Sequence, residues 1–210
     1  MKQNKEISKN KGWNYMQELA QNNELIENHT LYTPIPHKIS RCLNLGSTPK
    51  IILFDLVSYM GNKYYSYPSI DDIALNCGMS HVTVQANMKE LEAKKFLIVK
   101  RRRNNTYYLP DGLELNPYIL LSEVLHGFRG TISKTGLLSD RQSNEFIRSI
   151  LKSNIYIEKL NLLCKEYKSY LGMQQFYNNI NGLTIFQEIL GQFSEAVTEE
   201  FNREYPEIVL

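Results

Sequence analysis

The chain has 210 residues, of which 42% are hydrophobic and 22% are charged. This balance is sufficient for a packed core and differs from that of disordered, collagen-like or membrane-spanning chains. The first segment, MKQNKEISKNKGW, lacks the apolar stretch of a secretory signal, so we expect a cytoplasmic protein. The three cysteines are widely spaced, which argues against a disulfide framework or a thiolate zinc site.

Charge is distributed unevenly along the chain. Residues 38–109 contain eleven lysines and arginines against five acidic residues, a net charge of +6, whereas residues 110–210 carry a net charge of −4. A basic middle favours contact with a polyanion, and an acidic end suggests a second task in the same chain.

The N-terminal part is predicted to contain a tail, a helix and an extended segment. Residues 1–12 are polar and lysine-rich, which is typical of a disordered tail. Residues 13–30 have apolar residues at helical spacing and predict a short amphipathic helix. Over residues 31–40, Pro34 and Pro36 predict extended chain, because each proline disfavours helix at the residue before it.

A largely buried helix is predicted next. Ser47-Thr48-Pro49 is a helix start, since proline is tolerated in the first turn. The apolar residues between 51 and 60 form its buried part, and Gly61 fits its C-terminal end.

The following segment predicts two short helices joined by a tight turn. Ser69 and Asp72 form a capping-box-like start for the first helix. Gly78 ends that helix, because a tight turn favours a residue free to take positive φ. Ser80 begins the second helix, which ends near Lys94-Lys95. Apolar residues of the second helix recur at spacings of four and three, and so face the first helix; they are Val84, Met88 and Leu91.

Two β-prone runs then predict a hairpin. The runs are FLIVKRRR and TYYLP, with Asn104-Asn105 between them. A basic hairpin after two such helices is typical of a winged helix-turn-helix, in which the second helix enters the major groove and the wing follows the backbone. We therefore predict this fold over residues 31–112.

The motif residues support a family resemblance. Pro68-Ser69 precedes one helix, and the next is opened by the residues Gly78, Ser80, Thr83 and Val84. With these motifs, residues 32–110 resemble the winged-helix domains of bacterial plasmid and phage proteins. One departure is Lys95-Phe96, where that family usually has a glycine at the end of the recognition helix. The resemblance implies DNA binding by a transcriptional regulator, a replication initiator or a primosome-type accessory protein.

The candidate DNA-binding residues lie on the outward face of the second helix and on the wing. Gln85 can pair with adenine, and Val82 and Ala86 can contact a thymine methyl group. Ser80 and Thr83 suit a phosphate at the helix N-terminus, although Ser80 could serve only as a cap. The full predicted set is Ser80, His81, Val82, Thr83, Gln85, Ala86, Lys89, Lys100, Arg101, Arg102, Arg103 and Asn104.

Strand alternation limits how much of the basic run can face DNA. Successive side chains of a strand point to opposite faces, so one or two of the three arginines at 101–103 must serve elsewhere. By the same rule, one of Tyr107 and Tyr108 is expected in the core. The alternative interpretation of the run is a basic, solubilising turn.

The C-terminal half is predicted to hold a connector and a helical domain. Residues 113–136 are predicted as the connector, with one short helix around Ile119–Leu125 and a flexible loop at Gly127-Phe128-Arg129-Gly130. Ser139 is predicted to cap a long helical stretch that begins near Leu138. A coiled-coil-like seam is predicted by eight residues that are spaced alternately four and three apart. Its polar member is Ser153, and its other members are Phe146, Ile150, Ile157, Leu160, Cys164, Tyr167 and Leu171. We therefore predict an oligomerisation or partner domain over 137–210, with a bundle core inside one chain as the alternative.

Taken together, these features predict a mainly α-helical protein, a winged helix-turn-helix followed by a C-terminal helical domain. The chain contains no HExxH, GxSxG or GxxxxGK motif, so we expect no enzyme activity, no cofactor and no metal site. The expected partners are double-stranded DNA, further copies of the chain, and a replication or transcription protein, with no membrane. The predicted role is sequence-specific DNA binding for transcriptional regulation from a mobile genetic element. The alternatives are a plasmid or phage replication initiator and a winged helix used as a protein-interaction module.

Overall fold

A computed structural model describes residues 37–61, 63–173 and 180–208. The protein is mostly α-helical, with a winged helix-turn-helix followed by a C-terminal helical domain. The predicted tail at 1–12 and helix at 13–30 lie outside the described residues. In the part of the chain that the structure describes, no helix is long and apolar enough to cross a membrane.

The helices of the N-terminal unit follow the local signals in the sequence. They are α1 (His37–Ser40), α2 (Ser47–Met60), α3 (Ile70–Cys77) and α4 (His81–Ala93). Helix α2 has Pro49 in its first turn and ends at Gly61, whose φ is +53°, as predicted. The single turn of α1 corrects the expectation of extended chain at residues 37–40, and residues 31–36 of that segment lie outside the described residues. Pro36 restricts the residue before it and its own φ, and leaves the residues after it free to form a helical turn.

The wing is a three-stranded antiparallel sheet with strand order β1-β3-β2. Its strands are β1 (Tyr65–Ser66), β2 (Ile98–Lys100) and β3 (Thr106–Tyr108). Strands β2 and β3 form the predicted hairpin, and β1 adds a strand that the sequence pattern did not indicate. Tyr108 pairs with Tyr65 on one side and with Ile98 on the other, so the register places these three residues in one row across the sheet.

A long helix occupies the segment predicted as a connector. After a short 3₁₀ turn at Leu113–Leu115, helix α5 runs from Pro117 to Thr135 without interruption. The glycines at 127 and 130, expected in a flexible loop, lie inside this helix. Each glycine costs a helix about 1 kcal/mol relative to alanine. This cost is offset by a buried stripe at spacings of four, three and four residues, formed by Leu121, Leu125, Phe128 and Ile132.

The predicted long helical stretch is divided into two helices. They are α6 (Asp140–Ile150) and α7 (Asn154–Met173), and α8 (Ile180–Glu204) follows. Ser139 caps α6 in a capping box with Gln142, as predicted. Ser153, the polar member of the predicted seam, stands just before α7: the Tyr156 backbone N–H donates to its Oγ at 3.3 Å. Ser153 therefore acts as an N-cap, and the periodic pattern continues across a break between two helices.

The predicted seam lies mostly inside this chain. Phe146, Ile150 and Tyr167 are each 1% exposed and belong to the core of the helical domain. Leu160 and Leu171 are half-buried and pack against the same core. Ile157 departs from this pattern, with 47% of its surface exposed. Most of this stripe therefore packs within the described chain, as in the alternative interpretation, and oligomerisation through the helical domain stays a prediction.

Helix α5 joins the two units of the fold. Its Ile119 belongs to the core of the winged unit, whereas Leu121 and Leu125 belong to the core of the helical domain. Asn116, which is fully buried, caps α5 by accepting from the Tyr118 N–H at 3.0 Å. Its side-chain nitrogen donates to the carbonyls of residues 94 and 95, at 2.9 and 3.2 Å. The start of α5 is thereby attached to the end of α4.

Candidate nucleic-acid interface

The turn between α3 and α4 is built by three caps. Ser69 and Asp72 complete a capping box at the start of α3. Gly78 adopts the left-handed conformation, with φ 63° and ψ 36°, so its N–H can reach the last carbonyls of α3. Ser80 accepts from the Thr83 N–H at 3.1 Å and starts α4. Each cap is the one predicted, and together they fix the angle at which α4 leaves the turn.

Helix α4 has one buried face and one exposed face. Val84, Met88 and Leu91 are buried in the core of the winged unit. The opposite face is exposed and carries the residues His81, Val82, Gln85, Ala86 and Lys89. All five belong to the predicted DNA-binding set, and the structure places them on one continuous surface.

At the N-terminal end of α4, side chains that were predicted to contact DNA already have partners within the protein. The hydroxyl groups of Ser80 and Thr83 lie 2.8 Å apart, and Ser80 also caps the helix. The imidazole Nε2 of His81 lies 3.8 Å from a carboxylate oxygen of Asp71. This neighbouring carboxylate opposes a phosphate at His81. The geometry therefore favours the capping interpretation of Ser80 and makes Gln85 and Lys89 the better placed polar groups on this face.

The arginines of the wing are divided as strand alternation requires. Arg101 turns towards α4 and donates to both carboxylate oxygens of Glu92, one at 2.9 Å. This hydrogen bond to Arg101 lowers the pKa of the Glu92 carboxyl below its usual range. Arg101 thus ties the wing to α4 and is already paired, whereas Arg102 and Arg103 are exposed and make no ion pair with another described residue.

The remaining wing residues also follow the alternation. Tyr107 is 1% exposed and lies in the core, whereas Tyr108 faces outwards. Lys100 lies on the same outer face as Tyr108, with its ammonium 4.5 Å from the centre of that ring. Asn104 is exposed in the loop that we call the wing tip, residues 102–105. Lys100 therefore does not share the α4 side of the sheet with Arg101.

A cleft separates α4 from the wing. It is lined on the helix side by Gln85, Lys89 and Glu92, and on the wing side by Arg101 and Asn105. Sequence reasoning did not single out Glu92, although it lies seven residues after Gln85 and so on the same helix face. That spacing is the signal that could have found it.

Lys95 adopts the left-handed conformation that a glycine usually supplies at the end of this helix in the similar family. Its φ is +59°, the one positive φ among the described non-glycine residues. This geometry lets the Phe96 N–H donate to the Leu91 carbonyl at 2.9 Å and places the Phe96 ring in the core. The departure from the family pattern at Lys95-Phe96 therefore leaves the end of the helix in its usual left-handed form.

A comparison with protein families agrees with this geometry. Residues 43–97 match the family model of a helix-turn-helix domain. The matched region runs from just before α2 to just before the wing hairpin, and it supports DNA binding by this part of the chain. No curated protein and no solved structure matches the chain.

Proposed function

We propose that the protein binds double-stranded DNA sequence-specifically, with α4 in the major groove and the wing along the backbone. The observation that carries this proposal is the exposed face of α4, with Gln85 and Lys89, beside the wing tip. Arg102 and Arg103 of the wing tip make no ion pair with another described residue. This surface lies in the segment with a net charge of +6. Exposed cations next to a helix of this kind supply the phosphate contacts that dominate DNA affinity.

The residues of this surface divide the work between base contacts and phosphate contacts. The Gln85 amide can pair bidentately with adenine, and the methyl groups of Val82 and Ala86 can contact a thymine methyl. Lys89, Arg102 and Arg103 supply positive charge for phosphates, which positions the protein without reading the sequence. Arg101 acts indirectly, because its pair with Glu92 holds the wing beside α4.

We further propose that this binding serves transcriptional regulation from a plasmid, phage or other mobile element, which is one of the roles that the family resemblance implies. Replication initiation is the second candidate, because the same resemblance includes initiators. Tyr64, which is 72% exposed, lies beside the half-buried Tyr108 on the outer face of the wing, where duplex binding at α4 would leave both uncovered. The two roles predict different DNA sites. A regulator needs sites at a promoter, usually as inverted repeats, whereas an initiator needs repeated sites at an origin.

Selection from random duplexes with the full chain tests sequence-specific binding. Enrichment of a defined site is expected, and its position in the source genome separates the two roles. Gln85→Ala should relax the preference at one base pair and weaken the cognate site by about 1–3 kcal/mol. The matched control is Gln187→Ala, an exposed glutamine on α8 that should leave binding unchanged. A parent protein that enriches no sequence, or a Gln85→Ala variant with unchanged preferences, would contradict the proposal.

A further inference from the structure

The outer face of the wing sheet is an aromatic surface. Because side chains alternate along a strand, Ser66, Tyr107 and Val99 face the core, and the neighbouring row faces outwards. That outward row consists of Tyr65, Tyr108 and Ile98.

Tyr64 extends this surface just before β1. Its ring lies 5.4 Å from that of Tyr65 and 6.1 Å from that of Tyr108, and the rings of Tyr65 and Tyr108 are 5.8 Å apart. Tyr64 is 72% exposed. The three rings thus lie together, and Tyr64 is the most exposed of them. We call this group, Tyr64, Tyr65 and Tyr108, the tyrosine platform.

The platform carries positive charge. The ammonium of Lys100 lies 4.5 Å from the centre of the Tyr108 ring, and that of Lys63 lies 5.8 Å from the centre of the Tyr65 ring. Among the described residues, no carboxylate is hydrogen-bonded or ion-paired to either lysine or to the platform. Lysine side chains are flexible, so both ammonium groups can leave the rings for a phosphate.

The platform lies on the side of the sheet away from α4. The inner face packs towards the helix, with Tyr107 and Met88 in one core and Arg101 paired to Glu92. A duplex in contact with α4 and the wing tip would therefore not cover the platform. Any ligand of the outer face must therefore be a different one from the duplex at α4.

We propose that the tyrosine platform binds single-stranded DNA by stacking unpaired bases on its rings. Base stacking on aromatic side chains, combined with nearby lysines for the backbone, is the chemistry by which proteins hold single strands without reading their sequence. A duplex cannot use these rings in this way, because its base faces are already stacked within the helix. The inference goes beyond the proposed duplex binding, and it assigns a ligand to a surface which that function does not use.

Fluorescence anisotropy with the full chain tests the proposal. The probe is a labelled oligothymidylate of about 15 nucleotides, which spans a typical single-strand site and does not fold. We expect the parent to bind it at low salt, and Tyr64→Ala to weaken binding by about five-fold or more. Tyr64→Trp should restore binding, because it keeps an aromatic face. The matched control is Tyr59→Ala on α2, which is 47% exposed and lies outside the platform.

Competition with a duplex separates this proposal from the proposed function. An unlabelled cognate duplex should leave the oligothymidylate bound, and Arg102→Ala should weaken the duplex while leaving single-strand binding at the parent level. Tyr64→Ala should bind that duplex like the parent. Absence of oligothymidylate binding, parent-like binding by Tyr64→Ala, or full displacement by the duplex would overturn the proposal.

Discussion

Replacing Arg102 with alanine should remove one phosphate contact and leave the fold intact. Arg102 is exposed at the wing tip, and it makes no ion pair with another described residue that its loss would break. Each neutralised phosphate releases counterions and contributes about −0.9 to the slope of log K against log salt. The variant should therefore have a slope shallower by about 0.9 than the parent.

The same value gives the loss of affinity at each salt concentration. If counterion release accounts for the whole contact, Arg102→Ala binds about eight-fold more weakly at 0.1 M salt and about four-fold more weakly at 0.2 M. The loss should be similar for cognate and unrelated duplexes, because a phosphate contact carries no sequence information.

Two variants control for net charge and for pairing. Arg148→Ala removes the same charge from an exposed position on α6, and it should leave the slope at the parent value. Arg101→Ala should also change the slope little, because Glu92 already neutralises that guanidinium. Anisotropy titrations of one duplex at four salt concentrations measure all three slopes. An unchanged slope for Arg102→Ala, or an equal change for Arg148→Ala, would refute the assignment of the wing tip to phosphate.

Three further predictions concern stability and reactivity. Lys95→Gly should stabilise the protein by about 0.5–1 kcal/mol, because glycine takes a φ of +59° without steric cost; a lower urea midpoint would contradict this. Phe146→Ala should cost about 3–5 kcal/mol, since Phe146 is 1% exposed in the core, whereas Ile157→Ala should stay within about 0.5 kcal/mol of the parent. Thermal unfolding followed by circular dichroism measures the two, and equal losses would contradict the assignment of core and surface. Burial raises the pKa of both the Cys42 and the Cys77 thiols, but Cys42 is fully buried whereas Cys77 is partly exposed. A thiol reagent should therefore label Cys77 in the folded protein and Cys42 only after denaturation, as mass spectrometry of the labelled peptides would show.

The helix-turn-helix could be predicted because its signals are local. Ser69 with Asp72, Gly78 and Ser80 each satisfy a backbone group within three or four residues, so the sequence alone defines the turn. The stripe at residues 84, 88 and 91 then orients the second helix. The outward face of α4 follows from that orientation with no knowledge of the rest of the fold.

The errors arose where one residue type serves two purposes. Ser153 fits a seam by its spacing, yet its hydroxyl caps α7, and only the folded chain distinguishes the two roles. Gly127 and Gly130 are common in loops, yet here they lie inside a helix that is stabilised by tertiary packing. Strand β1 is too short for any periodicity, because it has two residues.

The wing shows what a sequence pattern leaves open even when it is correct. Alternation required that some of the three arginines serve a purpose other than DNA contact, but it did not say which. The structure assigns that part to Arg101, because its partner Glu92 lies on α4 and not in the strand. Such a pairing depends on tertiary structure, and the sequence offered only the shared face of Gln85 and Glu92 as a hint.

Residues that follow the winged unit support the end of α4, and this bears on where the chain can be divided. Asn116 donates to the carbonyls of Lys94 and Lys95, and the Lys94 ammonium donates to the Asn44 carbonyl at 2.7 Å. Asn44 in turn donates to the hydroxyl of Tyr156, which is 2% exposed at the start of α7. A division at residue 112 would remove Asn116 and Tyr156 and leave buried polar groups without their partners, which costs more than the bonds themselves contribute. The C-terminal end of α4 is therefore held by the start of α5 as well as by its own turn, and Tyr156 of α7 is linked to it through Asn44. Any ligand or partner that moves α5 or α7 would act on the same contacts that hold the end of α4.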